Sequence, residues 1–151
     1  MIKEPLGKTV KFLNIEIRKF LDFHLDEYQL GNGQFIIILD VCRNRGISQD
    51  ALSKNIGVDK TTIAKSVKKL VENGYITKVE DENDRRSKKI YPTKKAEDIL
   101  PKLKNLDTLE KEVFSQGITQ DEMEIFLKVS GRIKSNIKDY LESGGDSNWK
   151  K

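Results

Sequence analysis

The stretch GISQDALSKNIGVDKTTIAKSVKKLVENGYI, residues 46–76, decides how this sequence folds. Ser48 is a good helix N-cap, and Gly57 is placed to end the short helix that Ser48 begins. Asp59 can cap a second helix, whose apolar side chains share one face until Gly74 ends it. Two short helices joined by a tight, glycine-containing turn form a helix-turn-helix.

The outward face of the second helix carries hydroxyl and ammonium groups. At 100° per residue, burying Ile63 and Val67 turns the opposite face toward solvent. Its side chains suit the edges of bases and the phosphates of DNA. Lysines are equally typical of a plain solvated helix face, so this pattern alone leaves both interpretations open, and the neighbouring segments favour DNA. The candidate contact residues on this helix are Lys60, Thr61, Thr62, Lys65, Lys68 and Lys69.

The next stretch, VEDENDRRSKKIYPT at residues 79–93, places four acids before four bases, with the turn-forming Asn83 just before the last acid. YITKVE from Tyr75 and KKIYPT from Lys88 read as two strands, joined by a charged loop at residues 81–87. A helix-turn-helix followed at once by such a hairpin is a winged helix. Acids on the incoming strand can pair across the hairpin with bases on the outgoing strand, which would help to fix the register.

The predicted tip of the hairpin places Asp84 and Arg86 two residues apart. An arginine there can enter the narrow minor groove, where the negative potential is enhanced. Asp84 would then hold the guanidinium in one orientation and reduce the entropy lost on binding. The alternative is a surface loop whose charges neutralise one another. Arg85, Arg86 and Lys88 are the candidate DNA contacts of the hairpin.

Long amphipathic segments flank this region. Apolar residues recur at spacings of three and four over residues 6–25, which predicts one helix. QFIIILDVC, residues 34–42, is compatible with a buried strand or a buried helix, and we favour the helix because no strand partner or hairpin turn lies nearby. Thr93 begins a long helix that Pro101 should kink. The capping box at residues 119–122 opens a last helix.

Composition and charge narrow the classes of function. No run approaches the ~18 apolar residues of a membrane span, and one cysteine and one histidine argue against disulfides and zinc. The start has no secretory signal, so a cytoplasmic location is expected.

Positive charge is concentrated in the middle of the chain. Residues 54–95 hold twelve Lys/Arg and six acids, a net charge of +6, whereas the rest of the chain carries −2 and the whole chain +4. Such a basic centre is typical of polyanion binding. No phosphate-binding glycine loop or nucleophile motif indicates an enzyme or a cofactor.

The chain resembles the MarR family of winged-helix regulators over most of its length. The resemblance rests on LSKNIGVDKTTIAKSVKKLVENGYITKV, on the hairpin DENDRRSKKIYPT with its Asp-x-Arg, and on helices at both sides. The expected fold is mainly α (α+β), a winged helix-turn-helix with long flanking helices that form a dimerisation domain. The expected parts are an N-terminal dimerisation helix (1–30), the DNA-binding region (34–92), C-terminal dimerisation helices (93–143) and a flexible tail (144–151).

The resemblance implies a homodimer that regulates transcription, more often as a repressor, on a palindromic operator of double-stranded DNA. Half-sites would lie about one helical turn, ~34–36 Å, apart. Lys65 matches a basic groove-contacting residue and Thr62 a hydroxyl near the start of the recognition helix. Arg86 matches the arginine of the hairpin tip and Asp84 the acid that orients it. The alternative function is a winged-helix module for protein–protein contacts without specific DNA binding.

The sequence departs from the family pattern at three positions. Ser53 replaces a small alanine, which is harmless by size, and Ala64 stands where many members carry Thr or Ser. Family members often respond to a small-molecule effector or to oxidation of a cysteine in the first helix. Here the first helix has no cysteine, and Cys42, at the end of the second, reads as inert core, with a redox sensor as the alternative. His24 is a candidate for a ligand pocket between subunits, with an ordinary interface histidine as the alternative. Pro101, the third departure, is not a general feature and bears on the geometry of the dimerisation helices.

Overall fold

The computed structural model describes residues 5–83 and 88–145, and within them the chain forms six α-helices, one short 3-10 turn and three strands. A winged helix-turn-helix lies between long flanking helices, as the sequence predicts. In chain order the elements are α1 (Leu6–Leu25), the 3-10 turn (Asp26–Tyr28), α2 (Gln34–Arg43), β1 (Ile47–Ser48), α3 (Gln49–Ile56), α4 (Lys60–Glu72), β2 (Ile76–Glu80), β3 (Lys88–Pro92), α5 (Lys94–Ser115) and α6 (Gln120–Glu142).

The three strands form one antiparallel sheet in the order β1-β3-β2. Ile90 on β3 is the central residue, since it faces Ile47 on β1 and Lys78 on β2. Sequence reasoning predicted β2 and β3 but missed β1. A strand of two residues is too short to show the apolar alternation on which such a prediction depends.

The chain separates into two compact units, residues 1–107 and residues 108–151, and the division falls inside α5. The first unit holds all the buried hydrophobic side chains of the described chain. They come from α1, α2, α3, α4, β2, β3, α5 and the segments between them: Leu21, Leu25, Leu30, Phe35, Ile37, Ile38, Val41, Leu52, Ile63, Val67, Leu70, Tyr75, Ile76, Ile90, Ala96, Leu103 and Leu106.

The ambiguous apolar segment is the helix α2, as predicted. Phe35, Ile37, Ile38 and Val41 are buried in it, whereas Ile36 is 42% exposed. The helix therefore leaves one side open to solvent. This asymmetry indicates a helix packed on the core by most of its circumference.

The predicted caps of the later helices are present. The Thr93 hydroxyl accepts a hydrogen bond from the Ala96 amide (3.4 Å) at the start of α5, which continues through Pro101 as one helix. At α6, Thr119 and Glu122 form the complete capping box. None of the side chains of α6 is buried. In the part of the chain that the structure describes, no helix is long and apolar enough to cross a bilayer.

Candidate nucleic-acid interface

The turn between α3 and α4 is closed by hydrogen bonds from both its backbone and a side chain. Gly57 adopts the left-handed conformation (φ 73°), and its amide donates to the Ser53 carbonyl (2.9 Å). The Ser53 hydroxyl donates to the Val58 carbonyl (2.5 Å). Ser53 thus ties the last turn of α3 to the residue before the cap of α4, a role that size alone did not reveal.

The start of α4 is organised by Asp59. Its carboxylate accepts from the Thr62 amide (2.9 Å) and from the Thr62 hydroxyl (2.7 Å). These two hydrogen bonds lower the pKa of Asp59 below its usual value. Because the hydroxyl proton of Thr62 is given to Asp59, this side chain can offer only acceptor lone pairs to a ligand. An amino group on a base edge would fit that requirement better than a phosphate oxygen.

The remaining surface of α4 divides as the helical period predicts. Ile63, Val67 and Leu70 are buried, while the opposite face is exposed. That face carries Thr61, Thr62, Lys65, Lys68 and Lys69, and Lys60 is exposed at the first position of the helix.

Two of these lysines have carboxylate partners. Lys60 pairs with Asp50 on α3 at 3.0 Å, and Lys68 lies 4.0 Å from Glu72. Lys65 and Lys69, one helical turn apart, make no ion pair with any residue in ranges 5–83 and 88–145. Exposed pairs of this kind contribute only ~0–1 kcal/mol, so they restrain the two paired lysines weakly. The face as a whole can therefore receive a polyanion.

The hairpin is held in register by its strands and by one cross-strand ion pair. Residues Glu80 and Lys88 face each other at the loop end of the hairpin, and Lys89 lies 3.3 Å from Asp81. The amide of Asn83 donates to the Asp81 carboxylate (3.0 Å), and this hydrogen bond, with a smaller effect from Lys89, lowers the pKa of Asp81. The predicted pairing of incoming acids with outgoing bases is confirmed at this pair.

Lys78 is a basic residue of the hairpin that sequence reasoning did not single out. Desolvation, together with the nearby charge of Lys88, lowers the pKa of Lys78. Two ammonium groups that repel each other favour an anion between or beside them. No local pattern in the sequence marks Lys78, because its place beside Lys88 depends on the register of β2 and β3, in which Lys78 faces Ile90.

Asp84, Arg85 and Arg86 lie outside the described residues. Their predicted roles at the hairpin tip stay predictions. Lys88, the other basic residue predicted for the hairpin, is exposed at the first position of β3.

His24 lies near the end of α1, half-buried, with its ring edge-on to those of Phe20 and Phe23 at centroid distances of 4.9 and 5.1 Å. A cavity of about 200 Å³ lies elsewhere, between α2 and α5, and His24 is not among its lining residues. Partial burial raises the pKa of the Cys42 thiol, and the charges of Arg45 and Lys104 offset part of that rise. A raised pKa leaves less of the reactive thiolate. The residues that line the cavity between α2 and α5 are Leu39, Cys42, Arg43, Leu100, Lys104 and Asp107.

Known proteins resemble this chain over most of its length. The MarR family profile matches residues 30–88. The uncharacterized HTH-type transcriptional regulator YybA of Bacillus subtilis (strain 168) is 32% identical over 126 residues, covering 82% of this chain and 84% of YybA. The structure of the transcriptional regulator SlyA matches with a TM-score of 0.78 at 26% identity, covering 92% of this chain and 98% of SlyA. A Listeria monocytogenes structure described as a MarR family transcriptional regulator, in complex with a 26mer DNA, matches with a TM-score of 0.75 at 25% identity, covering 95% and 97%.

Proposed function

This chain belongs to the MarR family of transcriptional regulators, and from that premise we propose that it binds a palindromic operator in double-stranded DNA as a homodimer and represses transcription. The observation that supports this most directly is the exposed basic face of α4, where Lys65 and Lys69 have no carboxylate partner within the described ranges. Unpaired ammonium groups on a helix narrow enough for a major groove suit contact with phosphates and base edges.

The homodimer is supported by apolar surface that each unit leaves uncovered. In the first unit, Leu6, Val10 and Leu13 of α1 are 47–54% exposed. In the second unit, Leu127 and Leu141 of α6 are 61% and 69% exposed. Monomeric proteins rarely leave contiguous apolar patches of this kind in water, so a second copy of the chain is the proposed cover.

A charge on α6 tests the dimer. Leu127→Glu should convert the protein to monomers at micromolar concentration in sedimentation equilibrium, because the carboxylate would be desolvated at the proposed interface. Lys128→Glu, a neighbouring position on the same helix, changes the charge without removing apolar surface and serves as the matched control. Monomeric wild-type protein would contradict the dimer, and so would a Leu127→Glu variant that sediments like wild type.

The hairpin is proposed to contact the adjacent minor groove through Arg86, with Asp84 orienting the guanidinium and Arg85 and Lys88 contacting phosphates. Arg86→Ala should weaken operator binding by ~1–3 kcal/mol per half-site. Arg132→Ala, on α6, is the control for loss of one positive charge. An Arg86→Ala variant that binds the operator as wild type does would contradict the role given to the hairpin tip.

Selection of bound sequences from a random duplex pool tests the function as a whole. We expect a palindrome with two half-sites spaced by about one turn, bound with an affinity that falls steeply with salt as counterions are released. Failure to enrich any sequence would favour the alternative, a winged-helix module for protein partners. The sign of regulation follows from a reporter whose promoter overlaps the selected site: repression lowers transcription when the protein is supplied.

Release by a small effector is the last part of the proposal. The cavity between α2 and α5, at about 200 Å³, is below the ~300–1,000 Å³ of typical drug-sized pockets, so it suits a compact molecule. Its charged lining residues are Arg43, Lys104 and Asp107, and this excess of one positive charge favours an anion. Benzoate-sized anions should therefore lower operator affinity, and Leu100→Trp, which fills the cavity, should abolish that response. An undiminished response in Leu100→Trp would exclude this cavity as the effector site.

A further inference from the structure

The end of α4 is tied by side chains to two other parts of the first unit. Asn73 caps the helix, and its side-chain amide donates to the carbonyl of Gln29 (3.2 Å), in the segment between α1 and α2. The ammonium group of Lys95, on the first turn of α5, donates to the carbonyl of Asn73 (2.8 Å). One residue therefore connects the recognition helix both to the segment that follows α1 and to α5.

Tyr75, two residues after Asn73, contacts the same two parts of the first unit. Tyr75 is 1% exposed, and its hydroxyl donates to the carbonyl of Tyr28 (2.7 Å), the residue before Gln29. The Lys95 ammonium lies over the Tyr75 ring, 4.3 Å from its centroid. Lys95 thus contacts both Asn73 and Tyr75, and a cation over an aromatic ring adds attraction where water is partly excluded.

The segment that receives these bonds is itself held in an uncommon conformation. Gln29 has φ 55°, the one positive φ of a non-glycine residue within the described ranges. Lys102 on α5 donates to the Tyr28 hydroxyl (2.8 Å) and lies 5.3 Å from the centre of its ring. A left-handed non-glycine residue persists only where its surroundings hold it, which indicates that these contacts fix the segment.

We propose that these six residues are positioning residues that set the direction of α4 relative to α1 and α5, and through it the spacing of the two DNA half-sites. The inference rests on the proposed function, since spacing has meaning only for a dimer that binds a palindrome. We name the set the junction cluster: Tyr28, Gln29, Asn73, Tyr75, Lys95 and Lys102.

Geometry shows why small errors at this end of the helix would matter. With 13 residues and ~1.5 Å of rise per residue, α4 is about 20 Å long. A tilt of ~10° about its C-terminal end therefore moves its N-terminal end by about 3.4 Å. That displacement equals the rise of one base pair along B-DNA. Removing contacts of the junction cluster should therefore reduce the difference in affinity between palindromes whose half-sites differ in separation by a single base pair.

The experiment compares wild-type protein with the double variant Asn73→Ala/Tyr75→Phe. Each change removes one hydrogen bond to the segment between α1 and α2 and leaves every lysine in place. Dissociation constants are measured for the selected palindrome and for duplexes with one or two base pairs inserted or removed between its half-sites. The ratio of affinities for correct and incorrect spacing should fall about tenfold in the double variant, as expected from the loss of two hydrogen bonds. Affinity for an unrelated duplex should stay within about twofold, since it depends on phosphate contacts.

Two controls separate positioning from general loss of stability. Ile38→Val removes one methyl group from the buried core that also holds Tyr75, and it lowers stability without removing any of these hydrogen bonds. Its spacing ratio should equal that of wild type. Lys95→Ala should lower the ratio, whereas Lys95→Arg should keep it, because a guanidinium can still donate to the Asn73 carbonyl and stack on Tyr75.

The outcomes are distinct. An unchanged spacing ratio in the double variant overturns the inference alone, as does an equal fall in Ile38→Val. A wild-type protein that selects no palindrome, or binds all spacings equally, overturns both the proposed function and the inference. A fall confined to the junction variants, with rescue by Lys95→Arg, supports the positioning role.

Discussion

Replacing Lys65 with alanine should stabilise the folded protein and weaken its binding to DNA. Lys65 lies three and four residues before Lys68 and Lys69 on the exposed face of α4. Like charges at these spacings destabilise a helix by ~0.2–0.5 kcal/mol per pair, and alanine is the better helix former. Because Glu72 partly offsets the charge of Lys68, we expect the free energy of unfolding to rise by about 0.5 kcal/mol.

The effect on DNA binding has the opposite sign. If each Lys65 neutralises one phosphate, a dimer of the variant neutralises two fewer. The slope of log affinity against log salt then becomes less negative by about 1.8, or ~0.9 per phosphate. Between 50 and 200 mM salt the logarithm changes by ~0.6, so the affinity of the variant should fall about twelvefold less than that of wild type.

Two measurements test the pair of effects. Urea unfolding at equilibrium gives the change in stability, and fluorescence anisotropy with a labelled operator gives the affinity at four or five salt concentrations. Lys134→Ala is the control, since it removes an exposed lysine from α6 and should leave the salt slope unchanged. A base contact by Lys65 would add a change in preference at one operator position.

One result would refute the reasoning. If Lys65→Ala gains stability as expected while its salt slope and its operator preference stay those of wild type, Lys65 belongs to a solvated helix face. The exposed lysines of α4 would then be there for solubility, and the proposed recognition surface would lose its central residue.

Three further outcomes follow from individual contacts. Operator DNA should raise the pKa of Lys78, which desolvation lowers in the free protein. An NMR titration of the lysine side chains with and without duplex measures this change, and the same pKa of Lys78 in both titrations would contradict binding by the hairpin. The hydrogen bonds from Thr62 lower the pKa of Asp59 below its unfolded value of 3.8, so the carboxylate stabilises the fold above that pH, and this stability is lost as the pH falls through the lower pKa of the folded state. Asp59→Asn should flatten that part of an acid-unfolding curve followed by circular dichroism. An unaltered curve would contradict the role of the cap. Ser53→Ala should cost ~1 kcal/mol in urea unfolding, because the Val58 carbonyl loses its donor; a neutral change would return Ser53 to the role of a simple small residue.

The parts of the fold that sequence reasoning predicted are those encoded by neighbouring residues. The caps at Ser48 and Asp59, the glycine turn and the apolar faces of α1 and α4 all depend on spacings of a few positions. The hairpin strands were readable for the same reason, and the acid-to-base order of residues 79–93 is explained in part by the Asp81–Lys89 pair.

The parts that sequence reasoning missed depend on distant residues. The contact between the hydroxyl of Tyr75 and the carbonyl of Tyr28 joins positions 47 residues apart, and no local pattern marks either tyrosine as a partner. The hydrogen bond from the Thr62 hydroxyl to Asp59 is a local contact that the capping pattern allows, although the same pattern also allows that hydroxyl to face DNA. The repulsion between Lys78 and Lys88 can be predicted only when the register of β2 and β3 is known, because that register brings the two lysines close together.

The uncovered apolar surface of the chain connects its stability to its proposed binding of DNA. α6 is a helix of 23 residues without a buried side chain, and helices in water owe most of their stability to tertiary packing of an apolar face. In the proposed dimer that face would gain its packing from the second copy, so folding of the second unit and dimerisation would share one free energy. Dimerisation also converts the binding of the second α4 into an intramolecular event, which multiplies the affinity of two weak half-sites. A substitution on α6 that exposes its apolar face again should therefore reduce operator affinity even though it touches no residue of α4 or of the hairpin.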